Sequence, residues 1–281
     1  FGIKRVGHGG TLDPAVTGVL PIALGHATRL LPYLPSDKTY TGIIQLGKRT
    51  TSDDLHGEII SNQPWPNLER AALENYLDEF RGQLQQSPPQ ISSVHIKGER
   101  AYKRTRRGEV FDLPKRTITI YEALLLNWDQ ETGQIEINIH CSSGTYIRAL
   151  ARDLGNNLGC GGCLARLRRT QALGFKEAEA SSLPTPLNKK AEKPLKIISP
   201  LQALRHLPRL QLTTKEELLY WRTGRQLRKS IDKFQPPEDL QSPKQSQVFI
   251  AVIDTSNEVL GIGIRNESLG LQPKVVFNAL G

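Results

Sequence analysis

The sequence predicts an α+β protein with a second, smaller β-rich domain at its C-terminal end. Candidate strands and helices are mixed along the chain, and no regular βαβ repeat connects them, which argues against a parallel α/β sheet. Near the C-terminus, two apolar segments flank a short polar turn, and this pattern predicts the β-rich domain.

The first part of the chain contains a candidate strand and a candidate helix. The segment YTGIIQLG (40–47) has the composition of a strand and ends at a glycine. The segment NLERAALENYLDEF (67–80) places apolar residues at helical spacing, which predicts an amphipathic helix. Pro88 and Pro89 then interrupt regular structure.

A hairpin and a second helix are predicted next. The segments TITIYEALLLNW (117–128) and QIEINIHC (134–141) have strand patterns and are joined by a turn at Thr132-Gly133. The segment SSGTYIRALARDLGNNLG (142–159) predicts a helix that is capped by Ser143 or Thr145 and ends at a glycine.

The C-terminal part begins after an exposed connection. Residues 181–196 are rich in Pro, Lys and Ser, as connections are. The segment VFIAVIDTSNEVLGIGIR (248–265) predicts two strands around a turn at residues 255–257. We therefore predict two domains, residues 1–205 and 206–281.

Composition narrows the function classes. The 281 residues carry a formal net charge of +9, which indicates a polyanionic partner. No apolar run approaches the ~18 residues of a membrane span. Three cysteines do not make a disulfide scaffold, so a reducing compartment is expected. The chain starts at Phe1 and contains no methionine, which predicts that its natural N-terminal segment is missing.

The segment GHGGTLDPAVTG (7–18) is an unusual setting for a carboxylate. Pro14 pushes the backbone of Asp13 toward an extended conformation, and the preceding glycines allow a tight turn or a close approach by another molecule. A plainer interpretation is that Asp13 caps a helix whose first residue is Pro14.

Several common sites are absent from the sequence. The glycines at 7–10 are not followed by Gly-Lys-Ser/Thr, so they do not form a P-loop, and the dinucleotide-binding fingerprint is missing. Cys160 and Cys163 form a single CxxC without the second ligand pair that a zinc site needs. We expect ordinary thiols and no metal.

Basic residues cluster in KGERAYKRTRRGE (97–109) around Tyr102. Cations beside an aromatic ring suit RNA, whose phosphates and unpaired bases are bound together, although a solvated charged loop is the plainer interpretation. Arg148 and Arg152 lie one helical turn apart and are surface arginines by default, and Leu167 is a core leucine by default.

These residues resemble a known family. The segment GHGGTLDPAVTGVLPIALG resembles the catalytic motif of the TruB family, bacterial tRNA pseudouridine synthases that act on uridine 55 of the T-loop. Four further segments match in order: KTYTGIIQLGKRTTSDDLHGEI, PPQISSVHIKGERAYKRTRRGE, SSGTYIRALARDLG and LRRTQALGF. The resemblance covers most of residues 1–175, and the tail from about 206 is similar, more loosely, to a PUA-like RNA-binding domain.

Two features depart from the family pattern. The family's opening strand and helix would precede Phe1. Where many members carry Gly-Ala-His before the LRRT leucine, this chain has GGCLARLRRT, so no histidine can be assigned there.

The resemblance implies the pseudouridine synthase fold: a mixed, largely antiparallel central sheet flanked by helices and loops, with a PUA-like C-terminal domain. It implies that Asp13 is the catalytic carboxylate, by covalent attack or by removal of the ribose C2′ proton. Tyr40 would stack on the flipped uracil and help remove its C5 proton, and Arg148 would pair with Asp13.

The resemblance also implies substrate-binding residues and partners. Leu167 would pack against the base, Tyr146 would shape the pocket wall, and His8 would fill the space that the flipped nucleotide leaves in the RNA. The expected RNA contacts of the basic segment are Lys97, Arg100, Tyr102, Arg104, Arg106 and Arg107. A monomeric, cytoplasmic enzyme that binds the tRNA T-arm, without metal or organic cofactor, is expected.

Two alternatives stay open at this point. One is the catalytic subunit of a guide-RNA-dependent, dyskerin-like enzyme, although the GERAYKRTRRGE insertion is typical of the stand-alone bacterial branch. The other is a non-catalytic RNA-binding protein or chaperone, which would have no need for Asp13, Tyr40 and Arg148 together.

Overall fold

The computed structural model describes residues 2–92, 94–96, 98–109, 111–183, 195–227, 235, 248–266 and 270–280. The chain divides into two compact units. The sheet unit contains residues 11–20 and 36–178, and the terminal unit contains residues 1–10, 21–35 and 179–281.

The described residues form the following strands and helices. The strands are β1 Val6–His8, β2 Thr17–Gly18, β3 Ile22–Leu24, β4 Lys38–Leu46, β5 Lys48–Thr50, β6 Ile59–Asn62, β7 Gly82–Gln86, β8 His95–Ile96, β9 Glu99–Arg100, β10 Arg116–Asp129, β11 Gln134–Cys141, β12 Gly162–Ala172, β13 Phe175–Lys176, β14 Arg209–Gln211, β15 Phe249–Ile253, β16 Val259–Asn266 and β17 Gly270–Val276. The α-helices are α1 Arg70–Asp78, α2 Ala101–Arg106, α3 Ile147–Asn157, α4 Pro200–Ala203 and α5 Lys215–Arg222, with 3₁₀ segments at Gly25–Tyr33 and Glu177–Glu179.

A seven-stranded sheet forms the sheet unit, in the order β13-β12-β4-β11-β10-β7, with β2 added beside β12. All neighbours are antiparallel except β2, which runs parallel to β12. The sheet is therefore mixed and largely antiparallel, as predicted.

The predicted strands are confirmed, and their side-chain alternation explains the sheet. In β11, Ile135, Ile137 and Ile139 are fully buried, while the residues between them are only half-buried. Burying such a side chain contributes roughly 1.5–3 kcal/mol, so this alternation holds the register of β11 against β4 and β10.

Two helices cover one face of this sheet. Leu73 and Leu77 of α1 and Leu150 and Leu154 of α3 are buried in the same core cluster as the β11 isoleucines. The predicted cap of α3 is wrong: the helix begins after Tyr146, whose backbone N–H donates to Gln86 Oε1 over 2.8 Å. Gln86, which is distant in the sequence, thus accepts from a backbone N–H at the helix start. Ser143 or Thr145 was expected to cap this end.

The terminal unit is built around a four-stranded sheet of order β14-β15-β16-β17. The predicted hairpin at 248–265 is present as β15 and β16, which confirms a β-rich C-terminal region. Trp221 of α5 is fully buried against this sheet and donates from Nε1 to the Leu260 carbonyl over 3.0 Å.

The boundaries of the two units differ from those of the predicted domains. Residues 179–205 and two early segments belong to the terminal unit. The division at residue 205 and the PUA-like character stay predictions, and much of the predicted connection at 181–196 lies outside the described residues. None of the described helices has the length and apolar character of a membrane span.

Candidate active site

The Asp13 loop, residues 11–20, turns immediately after Asp13. The N–H of Val16 donates to the Asp13 carbonyl over 2.9 Å, and β2 follows at Thr17. Pro14 is therefore the second residue of a β-turn, where its fixed φ is favourable. The interpretation of Asp13 as a helix cap is wrong, because no helix follows it.

Arg148 reaches Asp13 from the first turn of α3. Its Nη2 lies 3.0 Å from Asp13 Oδ2, and its side chain is 7% exposed whereas that of Asp13 is 50% exposed. Nη1 also donates to the Ser52 carbonyl over 2.7 Å, and Nη2 donates to the Ile91 carbonyl over 3.1 Å. The default interpretation of Arg148 as a surface arginine is wrong. The guanidinium is rigidly held, and it orients a carboxylate that stays accessible.

Asp54 is a second carboxylate near Arg148 that sequence reasoning did not assign. Its Oδ2 lies 3.7 Å from Arg148 Nη1, and its Oδ1 accepts from Ser52 Oγ over 2.6 Å. The only signal was its place in the TTSDD segment, which carried the resemblance. Arg148 thus lies between one accessible and one mostly buried carboxylate.

Arg152 makes the corresponding contact one turn further along α3. Its Nη1 lies 2.9 Å from Asp53 Oδ2, and its Nη2 donates to the Ser87 carbonyl over 2.9 Å. Asp53 adopts a left-handed backbone conformation with φ of 60°. Burial raises the pKa of Asp53, and Arg152 opposes that increase. Together, the two arginines attach residues 52–54 to α3.

Tyr40 lies on β4 and is 8% exposed. Burial raises the pKa of its phenol above 10.0, and the charge of Asp13 acts in the same direction. A hydrogen bond from the Arg169 guanidinium opposes the increase. The phenol oxygen is therefore a neutral, protonated group in the same neighbourhood as Asp13.

Leu167 lies on β12 beside Tyr40. It pairs with Gly42, and a Cβ at Gly42 would lie 3.0 Å from Leu167 Cδ1. Leu167 is half-buried and packs against the main core of the sheet unit. Gly42 thus leaves the room that the leucine side chain occupies.

Arg169 is a site residue that sequence reasoning missed. It lies two positions beyond Leu167 in β12 and is 1% exposed. Its Nε donates to the Val19 carbonyl over 2.8 Å, and its Nη1 donates to the Thr11 carbonyl over 3.4 Å. It therefore contacts both ends of the Asp13 loop.

Tyr146 and His8 are placed differently from each other. Tyr146 is half-buried at the start of α3, and the Arg116 guanidinium lies 5.4 Å from its ring centroid. His8 is exposed at the end of β1, which belongs to the terminal unit. The structure thus places Tyr146 at the start of the helix that carries Arg148, and places His8 in the other unit.

The basic segment contains β9, which pairs with β8 immediately before the segment, and α2. Arg107 Nη1 lies 2.7 Å from Glu99 Oε1, and its Nη2 lies 2.7 Å from Glu109 Oε1. Arg104 Nε lies 2.6 Å from Glu109 Oε2. These two arginines are paired with acidic residues of the same segment.

The structure describes the other predicted RNA contacts of the basic segment only in part. Arg100 is exposed on β9, and Tyr102 is half-buried in α2. Lys97 and the side chain of Arg106 lie outside the described part of the structure.

The three cysteines are free and buried. Burial raises the pKa of Cys141 and of Cys163 to about 11. Across the described residues, no group of three or more His, Cys, Asp and Glu side chains is placed to hold a metal ion.

Comparison with known families gives two matches along the chain. Residues 1–147 match the family described as TruB family pseudouridylate synthase (N terminal domain). Residues 148–204 match the tRNA pseudouridylate synthase B C-terminal domain.

Individual relatives are similar over the whole of this chain and over most of their own length. The chain is 56% identical over 293 residues to tRNA pseudouridine synthase B of Prochlorococcus marinus (strain MIT 9313), covering 100% of this chain and 91% of the relative. It is 57% identical over 281 residues to tRNA pseudouridine synthase B of Parasynechococcus marenigrum (strain WH8102), covering 100% and 90%.

Solved structures share the fold. A chain from the crystal structure of a Cbf5-Nop10-Gar1 complex superposes with a TM-score of 0.66 at 22% identity, covering 99% of this chain and 78% of that one. A chain from an H/ACA RNP bound to a substrate RNA containing 2′-deoxyuridine gives 0.65 at 21% identity, covering 98% and 77%. The predicted fold class is confirmed by these likenesses.

Proposed function

Because the chain belongs to the TruB family of pseudouridylate synthases, we propose that it isomerises uridine 55 in the T-loop of tRNA to pseudouridine. One observation carries the proposal at the level of the site. The accessible carboxylate of Asp13 is held 3.0 Å from the buried Arg148, in the same unit as Tyr40.

The reaction is an isomerisation, so its atoms balance without a co-reactant. The bond from ribose C1′ to uracil N1 breaks, the uracil turns, C5 bonds to C1′, and the C5 proton is lost while N1 gains a proton. The target nucleotide must leave the base stack for a side chain to reach C1′. A half-exposed carboxylate on a turn is suited to such a flipped nucleotide.

Asp13 acts on the ribose by one of two routes. Its carboxylate attacks C1′ and forms a covalent intermediate, or it removes the C2′ proton and produces a glycal. Both routes need a carboxylate that is held in one orientation. Arg148 provides that orientation, since its own position is set by the Ser52 and Ile91 carbonyls.

Tyr40 takes part in the removal of the C5 proton. Its ring stacks on the flipped uracil. Its hydroxyl lies in a buried setting that keeps it protonated, so it accepts the C5 proton only as it passes its own proton on. Leu167 packs against the base from the neighbouring strand, Tyr146 forms part of the pocket wall, and His8 fills the gap in the RNA.

The RNA is bound through a basic surface. Support comes from the net charge of +9 and from the residues of the basic segment, namely Lys97, Arg100, Tyr102, Arg104, Arg106 and Arg107. We propose that the enzyme acts as a monomer on the T-arm without a guide RNA, and that it needs no metal. The free, buried cysteines support a reducing compartment such as the cytoplasm.

The test is Asp13→Asn, assayed by single-turnover tritium release from 5-tritiated uridine in a bare tRNA transcript. We expect a folded protein that binds the transcript and forms no pseudouridine, because an amide is neither nucleophile nor base. Asp78→Asn is the matched control, since Asp78 is also about half exposed and its Oδ1 lies 2.9 Å from Arg81 Nη2.

The outcomes separate the candidates. Activity of the parent protein on the bare transcript rejects the guide-RNA-dependent alternative. Binding without any turnover by the parent protein favours a non-catalytic RNA-binding protein. Robust tritium release by Asp13→Asn would remove Asp13 from the mechanism.

A further inference from the structure

Arg169 is a buried charge whose hydrogen bonds converge on the candidate site. A guanidinium that is 1% exposed has lost its water and must be compensated by protein acceptors. Its acceptors include the Val19 and Thr11 carbonyls, which lie on either side of Asp13 in the sequence. Its fork-shaped head can hold several acceptors in fixed directions at once.

The backbone of Arg169 holds the same loop. Gly18 of β2 pairs with Arg169 in register, and the Val19 N–H donates to the Arg169 carbonyl over 2.8 Å. Gly18 has a φ of +107°, and a Cβ there would lie 2.1 Å from the Arg169 carbonyl oxygen. The C-terminal end of the Asp13 loop is therefore docked directly onto this residue.

Apolar packing holds little of the loop. Val19 is buried, and the other residues of the loop are exposed or half-buried. Hydrophobic packing therefore contributes little at the turn that carries Asp13. Polar contacts, among them those from Arg148 and Arg169, set the position of the carboxylate.

Arg169 also contacts Tyr40, its partner in the β12–β4 register. The guanidinium can only donate, so the phenol oxygen accepts its hydrogen bond. One side chain thus interacts with the Tyr40 hydroxyl and with both ends of the Asp13 loop.

We propose that Arg169 is a positioning residue for the isomerisation: it sets the Asp13 carboxylate and the Tyr40 hydroxyl relative to each other without touching the substrate. The proposal rests on the proposed function, in which these two groups act on the same nucleotide. Lysine at this position would retain the charge but not the planar fork, and could not keep all of these contacts.

The test compares Arg169→Lys and Arg169→Gln with Arg166→Lys, an exposed position on the same strand. We expect the single-turnover rate of both Arg169 variants to fall roughly 100-fold, with the Kd for the tRNA transcript within about threefold of the parent, because a displacement of about 1 Å costs that much rate. Arg166→Lys should retain the parental rate.

A double-mutant cycle with Tyr40→Phe distinguishes positioning from general destabilisation. If Arg169 acts partly through the Tyr40 hydroxyl, Arg169→Lys must cost less in the Tyr40→Phe background than in the parent. Amide exchange of residues 11–20 should also become faster in the Arg169 variants, while exchange in α1 stays unchanged.

Each outcome decides one question. Parental rates in Arg169→Lys and Arg169→Gln, or fully additive effects with unchanged exchange at 11–20, reject the positioning role. If neither variant folds at the assay temperature, Arg169 is a residue of general stability and the proposal is rejected as well. Absence of pseudouridine formation by the parent instead rejects the proposed function, and the exchange measurement still reports on the loop.

Discussion

Arg148 carries a charge that water scarcely reaches, and its partners on the protein explain why it is tolerated. A buried guanidinium without partners costs several kcal/mol, so its carboxylate and carbonyl acceptors are necessary to the fold. The same acceptors prevent it from changing rotamer. At the scale of single residues, the compensation of this buried charge makes the site rigid.

Tyr40→Phe tests the hydroxyl apart from the ring. We expect the variant to bind tRNA about as well as the parent, because the ring still stacks, and to lose most single-turnover activity because the proton-handling group is absent. Tyr76→Phe is the control, since Tyr76 is a partly buried tyrosine of α1 packed on the same core. Near-parental rates in Tyr40→Phe would mean that stacking alone suffices.

At the scale of elements, two arginines of the basic segment form ion pairs with glutamates of the same segment. The Arg104 and Arg107 guanidiniums lower the pKa of Glu109, and that of Arg107 lowers the pKa of Glu99. The acids occupy the donors that RNA phosphates would use. Binding of RNA by these two arginines must therefore exchange carboxylates for phosphates.

Glu109→Gln should make Arg104 available to RNA, whereas Arg107 keeps its ion pair with Glu99. We expect tighter tRNA binding at low salt and a steeper dependence of log Kd on log salt, by up to about one phosphate contact, because more counterions are released. Glu74→Gln is the control: Glu74 Oε1 lies 3.0 Å from Arg70 Nε on α1, and its neutralisation changes the net charge equally.

The opposite change checks the same element. Replacing both Arg104 and Arg107 by Gln should weaken binding and flatten the salt dependence. Identical slopes for the parent, Glu109→Gln and the arginine variant would show that this element faces away from the RNA.

At the scale of the whole molecule, buried thiols couple stability to alkaline pH. Burial raises the pKa of Cys141 and of Cys163 from 9.0 to about 11. The unfolded chain therefore loses these protons from about pH 9, while the folded chain keeps them up to about pH 11. Their stabilising contribution is complete below pH 9 and is lost as pH rises toward 11.

We expect the free energy of unfolding, measured by urea titration under reducing conditions, to fall between pH 9 and 11 by on the order of 2 kcal/mol per thiol. Cys141→Ala should flatten this slope whatever its effect on stability at pH 7. Ile139→Val should lower stability at every pH and leave the slope unchanged. A slope that does not respond to Cys141→Ala would contradict this assignment.

The sequence by itself determined the elements with strong local periodicity, and it named the central residues of the candidate site. The strands β4, β10 and β11, the helix α1 and the hairpin β15–β16 were predictable because their alternation or helical spacing lies within one short segment. The motif around Asp13, with Tyr40 and Arg148, was predictable because several ordered motifs matched one family.

Only the tertiary structure decided which residues complete the site. Asp54, Arg152 and Arg169 became site residues through contacts between positions far apart in the chain, and such contacts leave no local pattern. The hydrogen bond from Gln86 to the N-terminal end of α3 was unpredictable for the same reason. Burial is a property of the folded chain, so the sequence could not tell which of its 37 lysines and arginines would have their charge removed from water.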